Sequence, residues 1–92
     1  KMAMAIATLI FVPAAGQFRP DFVLVSAGFD AHRDDPLGGM GVTTEGFAEM
    51  TRIVKRIAEE HCQGRLVSVL EGGYDLDGLA ASVAAHLRIL ME

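Results

Sequence analysis

The sequence predicts an α/β fold with elements in the order helix, strand, helix, strand, helix. Two short apolar runs, DFVLVSA at 21–27 and RLVSVL at 65–70, read as strands. Between them, apolar residues recur at intervals of three and four, the period of an amphipathic helix. A strand, a crossover helix and a second strand close into a right-handed βαβ unit, which makes the strands parallel.

The first element is an apolar stretch over residues 2–12, rich in the helix formers Ala, Met and Leu, which Pro13 and Gly16 are expected to limit. It has no polar face and needs cover on several sides. Residues 2–15, MAMAIATLIFVPAA after Lys1, also resemble a signal peptide. A single charge and a first residue other than Met argue for a buried element instead. Arg19-Pro20 reads as an extended entry to the first strand. The Phe-Val-Leu-Val run of that strand does not alternate, so burial on both faces is expected.

The middle helix begins after Thr43, a suitable N-cap, and carries Phe47, Met50, Val54, Ile57, Ala58 and His61 on one face. It stops near Gly64 after about five turns. The last helix takes Asp77 as its N-cap and sets Leu79, Val83, Leu87 and Leu90 on one face. No repeat, low-complexity tract or linker divides the chain, so residues 1–92 are expected to form one domain at most.

Composition narrows the function classes. Half of the residues are apolar, 22% are charged, and the net charge is −4, which suits a globular protein. That charge gives no electrostatic case for nucleic acid or for an anionic membrane surface. The apolar run near the N-terminus is too short to span a bilayer. Cys62 is the only cysteine, which excludes an internal disulfide and fits a cytoplasmic protein. At helical spacing it reads as a small core residue.

The chemistry gathers in two loops. Parallel strands end on the same edge of the sheet, and open α/β folds bind ligands outside those ends. SAGFDAHRDDPLGG, residues 26–39, leaves the first strand, and LEGGYDLDG, residues 70–78, leaves the second. The topology therefore sets Asp30 and Tyr74 over a common crevice. Asp30, His32, Asp34 and Asp35 offer oxygen and nitrogen donors to a divalent metal. Gly72 and Gly73 allow close backbone approach, and Tyr74, the only tyrosine, can offer its hydroxyl to an oxyanion. Each residue also has a plainer reading. An acidic, Gly/Pro-rich loop is commonly a solvated turn, and Asp34 and Asp35 can face solvent or hold the loop through Asx bonds. His32 reads as a surface residue, and His61 and His86 as packing or surface residues. Ser26 and Ser82 have no nucleophile setting, and no Gly-rich loop opens a helix as a nucleotide site requires.

FRPDFVLVSAGFDAHRDDPLGG at 18–39, GFAEMT at 46–51 and GRLVSVLEGGYDLDGLAASV at 64–83 resemble the C-terminal part of the histone deacetylase superfamily. The resemblance is nearest to its class II-like bacterial members, which include acetylpolyamine amidohydrolases and acetoin-utilisation proteins. It implies a partial arginase/deacetylase-type three-layer fold and hydrolysis of N-acetyl amides on a lysine-like or polyamine amine. It implies Zn2+ as cofactor, with Asp30 as a zinc ligand and Tyr74 as the catalytic residue that stabilises the oxyanion. Leu37 then lines the substrate tunnel, and Gly72 and Gly73 shape the loop that presents Tyr74.

The pattern that this family requires is incomplete in these residues. It draws two more zinc ligands from an earlier Asp-x-His segment and its base from a His-His pair. Here no His-His occurs, and the one Asp-x-His is Asp30-Ala31-His32 itself. A catalytic zinc needs three protein ligands and an open position. The expectation is a C-terminal segment of a deacetylase domain, inactive and without tight zinc when alone, and engaging an acetylated amine only in a complete domain. Its open strand edges and apolar helix faces predict a homo-oligomer. The competing expectation is a non-catalytic, self-associating α/β module.

Overall fold

The computed structural model describes residues 7–92. A π-helical turn, Ala7–Phe11, leads into helix α1, Val12–Phe18. Strand β1 (Val23–Ala27), helix α2 (Thr44–Cys62), strand β2 (Leu66–Leu70) and helix α3 (Leu76–Met91) follow. The order is the one the sequence predicts. The two strands pair in parallel, with register running from Val23 opposite Leu66 to Ala27 opposite Leu70.

The first helix departs from expectation. Residues 2–6 of the apolar stretch lie outside the described residues, and the helix continues past Pro13 and Gly16 to Phe18. Pro13 sits in the first turn of α1, where its missing N–H costs no helical bond. Arg19 is not an extended entry to β1. It adopts the left-handed region at φ 57° and caps α1 by donating its N–H to the Ala15 carbonyl at 2.8 Å.

Strand β1 is not buried on both faces. Val23, Val25 and Ala27 turn toward α2 and α3, while Leu24 is 69% exposed. On β2, Val67 and Val69 are exposed on the same side as Leu24, since register pairs Leu24 with Val67 and Ser26 with Val69. The apolar character of both faces is thus present in the sequence, but the described helices cover only one.

Helix α2 forms as its caps direct. The Thr43 hydroxyl accepts the Gly46 N–H at 3.0 Å. At the other end Gln63 and Gly64 share the left-handed stop, with the Gly64 N–H bonded to the Ala58 carbonyl. Cys62 is buried, as a small core residue should be. Helix α3 begins two residues earlier than predicted. Its N-cap is Asp75, which accepts the Gly78 N–H at 2.8 Å, and Asp77 lies in the first turn. Its buried stripe is Gly78, Ser82, His86 and Ile89. Leu79 and Val83 only flank the core, and Leu87 is exposed. Side-chain hydrogen bonds set this rotation. His86 Nδ1 lies 2.8 Å from Thr51 Oγ1 on α2, and Nε2 lies 2.8 Å from Ser68 Oγ on β2. Lys55 of α2 closes the far end of the pair by donating to the Ile89 and Glu92 carbonyls.

The core sits between the covered sheet face and the α2–α3 pair. Ala27, Phe29 and Phe47 form its centre, with Val25, Ala31, Val42, Met50, Leu79 and Val83 packed around it. The Phe29 and Phe47 rings meet edge to face with centroids 5.0 Å apart. Phe29 immediately precedes Asp30, so core packing fixes the base of the first loop. Among the described residues, no helix is long and apolar enough to cross a membrane.

Candidate functional site

The parallel ladder continues into both loops. Glu71 donates its N–H to the Ala27 carbonyl at 2.9 Å, and Phe29 donates to the Gly72 carbonyl at 2.7 Å. These two bonds carry Gly28–Asp30 alongside Glu71–Gly73 beyond the ends of the strands. The two loops therefore share one edge, as the topology of a βαβ unit requires.

Asp30 is half-buried, and its carboxylate lies against Gly72. A Cβ on Gly72 would stand 3.0 Å from both Cγ and Oδ2 of Asp30, so the absence of a side chain there makes room for the carboxylate. Gly73 has φ 143°, a backbone state that side-chain-bearing residues rarely take, and a Cβ there would meet Leu79 at 2.8 Å. Tyr74 follows directly, with its side chain 54% exposed. Leu37 is 72% exposed on the opposite loop.

Three neighbouring residues hold more than the sequence reading assigned to them. Asp35 is buried rather than solvent-facing. Its Oδ1 accepts the N–H groups of Leu37 at 2.8 Å and Gly38 at 3.0 Å, and its Oδ2 accepts the N–H of Tyr74 at 2.7 Å. Desolvation alone would raise its pKa. Hydrogen bonds from the backbone N–H groups of Tyr74, Leu37, Gly38 and Asp75 outweigh that cost and hold the carboxyl below its ordinary value. The Asx turn was legible in the sequence, but the bond across to Tyr74 was not, because it spans 39 positions.

His32 is also buried, not on the surface. Its Nδ1 accepts the Asp34 N–H at 3.1 Å, which leaves Nε2–H to face Thr44 Oγ1 at 3.1 Å. Its ring stacks on Phe47. His32 therefore braces the loop from inside rather than facing a metal. Asp34 is exposed, as expected. Gly38 is the third residue: a Cβ there would fall 1.7 Å from the Asp30 carbonyl oxygen, so the DPLG turn folds back onto Asp30 itself. The paired glycines at 38 and 39 were the available signal.

The donor set does not fit a zinc ion within this chain. Among the described residues, no three His, Cys, Asp or Glu side chains come together as a metal would require. Asp30 offers one carboxylate, and His32 is committed to the loop. What the edge supplies is one carboxylate, one phenol and the backbone that joins them. A separate half-open apolar recess of about 210 Å³ lies under the sheet among Val25, Ala27, Phe29, Met50 and His86, and neither Asp30 nor Tyr74 reaches it.

Comparison with known proteins bears on this edge. Residues 1–90 match the family model described as the histone deacetylase domain. The chain is 49% identical over 82 residues to histone deacetylase 14, chloroplastic, of Arabidopsis thaliana, covering 89% of this chain and 19% of that protein. It is 48% identical over 69 residues to a probable deacetylase of Archaeoglobus fulgidus, covering 75% of this chain and 19% of that protein. Among solved structures, the HDA15 HD domain superposes with a TM-score of 0.85 at 40% identity, over 98% of this chain and 24% of that one. The histone deacetylase Clr3 superposes with a TM-score of 0.84 at 33% identity, over 95% of this chain and 14% of that one. The chain thus spans a quarter or less of each of these relatives. With the motif loops, the parallel strand pair and nearly every residue of the chain accounted for by one family, this protein belongs to the histone deacetylase domain family.

Proposed function

We propose that this chain supplies one wall of a zinc-dependent amidohydrolase site that cleaves N-acetyl amides of the acetyl-lysine or acetylpolyamine class. Asp30 is one zinc ligand, Tyr74 donates its phenol O–H to the substrate carbonyl as that oxygen gains negative charge, and Leu37 lines the acyl passage. Gly72 and Gly73 hold the Tyr74 loop close to Asp30. The observation that carries this reading is the placement of the Asp30 carboxylate against Gly72, two residues before Tyr74. Two further zinc ligands and a general base must come from segments outside these residues, so the chain alone has neither tight zinc nor turnover. The single buried thiol, Cys62, supports a reducing compartment such as the cytoplasm.

The test grafts residues 1–92 in place of the matching segment of the HDA15 HD domain and measures hydrolysis of an acetyl-lysine peptide and of an acetylpolyamine. The isolated chain is assayed in parallel, with zinc titration. Turnover by the graft that is lost in Asp30→Ala and Tyr74→Phe, with none from the isolated chain, is the expected result. A graft that folds and is indifferent to both substitutions would overturn the proposal. Turnover by the isolated chain would refute its incompleteness.

A second reading rests on the open sheet face. Leu24, Val67 and Val69 are exposed side by side, and an uncovered apolar face of this kind favours association of the chain with itself. In this reading the isolated chain is a non-catalytic homo-oligomer.

A further inference from the structure

We propose that Asp35 is the positioning residue for Tyr74, a carboxylate that clamps the two loops of the site into one rigid edge. The proposal rests on the oxyanion role of Tyr74 set out above and adds a residue to it.

Asp35 is 7% exposed, and no cation pairs with its carboxylate among the described residues. Its hydrogen-bond donors are backbone N–H groups. Oδ1 takes Leu37 and Gly38, which closes the Asx turn and is sufficient for it. Oδ2 is free of that task and takes Tyr74 N–H at 2.7 Å, a charge-assisted bond between loops. The turn therefore explains one oxygen, and only the second loop explains the other.

Tyr74 needs such a restraint. It follows two glycines, one of them at φ 143°, so its backbone is not fixed from the N-terminal side by local sterics. On its C-terminal side, Asp75 caps α3 through Gly78 N–H. Between the Gly-Gly pair and this cap, the Asp35 bond sets the plane of the peptide from which the Tyr74 side chain projects. A catalytic group misplaced by about 1 Å can cost about a hundredfold in rate, so a single backbone bond here has leverage on turnover.

Asp35→Asn separates the two tasks. The amide oxygen can keep Leu37 and Gly38, two bonds against one, and the amide NH2 then confronts Tyr74 N–H donor to donor. In the 92-residue chain, this variant should raise hydrogen exchange at the Tyr74 amide by about tenfold or more, given a charge-assisted bond, and leave the Leu37 and Gly38 amides protected. The unsubstituted chain should show a scalar coupling across the hydrogen bond between Tyr74 N and Asp35 Cγ, a measurement that requires no variant to fold. Unchanged exchange at Tyr74, or absence of that coupling, overturns the clamp. In the grafted domain, Asp35→Asn should lower kcat about 10–100-fold with little change in KM, and add nothing in the Tyr74→Phe background. An equal loss in that background means that Asp35 acts other than through Tyr74 and sinks the positioning role. Should Tyr74→Phe alone leave kcat intact, the oxyanion reading fails, and the exchange and coupling measurements still decide the clamp.

Discussion

At the scale of single residues, the buried polar groups carry the information that the apolar pattern lacks. Thr51 donates its hydroxyl to the Phe47 carbonyl at 2.8 Å, so it can only accept from His86 Nδ1–H, and Ser68 then donates to Nε2. With a neutral imidazole every member of this network has a partner. Burial lowers the His86 pKa below its ordinary 6.5, so its contribution is fully present above that pH and is lost as pH falls through the depressed value. Asp35, also held below its ordinary value of 3.8, adds a second loss in more acidic solution. Urea unfolding midpoints measured against pH should therefore fall in two stages, and Thr51→Val, which leaves the Nδ1–H of His86 without an acceptor, should lower stability by about 1–3 kcal/mol. Gly38 makes a steric prediction. Gly38→Ala drives a methyl group into the Asp30 carbonyl. Denaturant titration should show a loss of at least about 1–3 kcal/mol, the usual range for overpacking. A variant as stable as the parent would mean that the turn does not lie on Asp30. Neither residue's task was visible in advance. A histidine in a helix and a glycine in a PLGG turn acquire their meaning from partners far away in sequence.

At the scale of elements, what the chain announces locally was legible. Thr43 and Gly64 bound α2 because capping acts within four residues, and the strands emerge where β-branched runs stand. The errors came from competition between equally good local signals. Asp75 and Asp77 both precede an apolar periodic segment, and the helix takes Asp75, whose carboxylate accepts the Gly78 N–H. The caps make opposed predictions. Asp75→Ala should lower the unfolding free energy by about 1 kcal/mol, whereas Asp77→Ala should cost only a few tenths through the helix dipole. Thermal unfolding followed by circular dichroism separates them, and the reverse ranking would restore Asp77 as the cap. The hydrophobic stripe of α3 was misplaced for a related reason. Leu79, Val83, Leu87 and Leu90 fit the helical period, but Ser82 and His86 are drawn inward, with the hydrogen bonds of His86 to α2 and β2 turning the stripe.

At the scale of the whole molecule, fold and burial tell different stories. The βαβ topology follows from the sequence, yet among the described residues its double-sided apolar strands find helices on only one face. Leu24, Val67 and Val69 are exposed together, and Phe18, Phe22 and Leu70 are exposed as well. A face of this composition is expensive to leave in water, at about 25 cal/mol for each Å² of apolar surface. Among the described residues each strand pairs on one side only, so edge pairing also favours association when the chain stands alone. Sedimentation equilibrium should accordingly find the isolated 92-residue chain above monomer mass at micromolar concentration, with Leu24→Lys and Val67→Lys shifting it toward monomer. The same two substitutions should leave the Tyr74 amide protected, because the clamp on Asp35 lies on the loop edge and not on this face. A monomeric parent chain would argue against self-association. Loss of Tyr74 protection in these variants would show instead that the sheet face and the candidate site are one cooperative unit, in which the loops become rigid only when the face is covered.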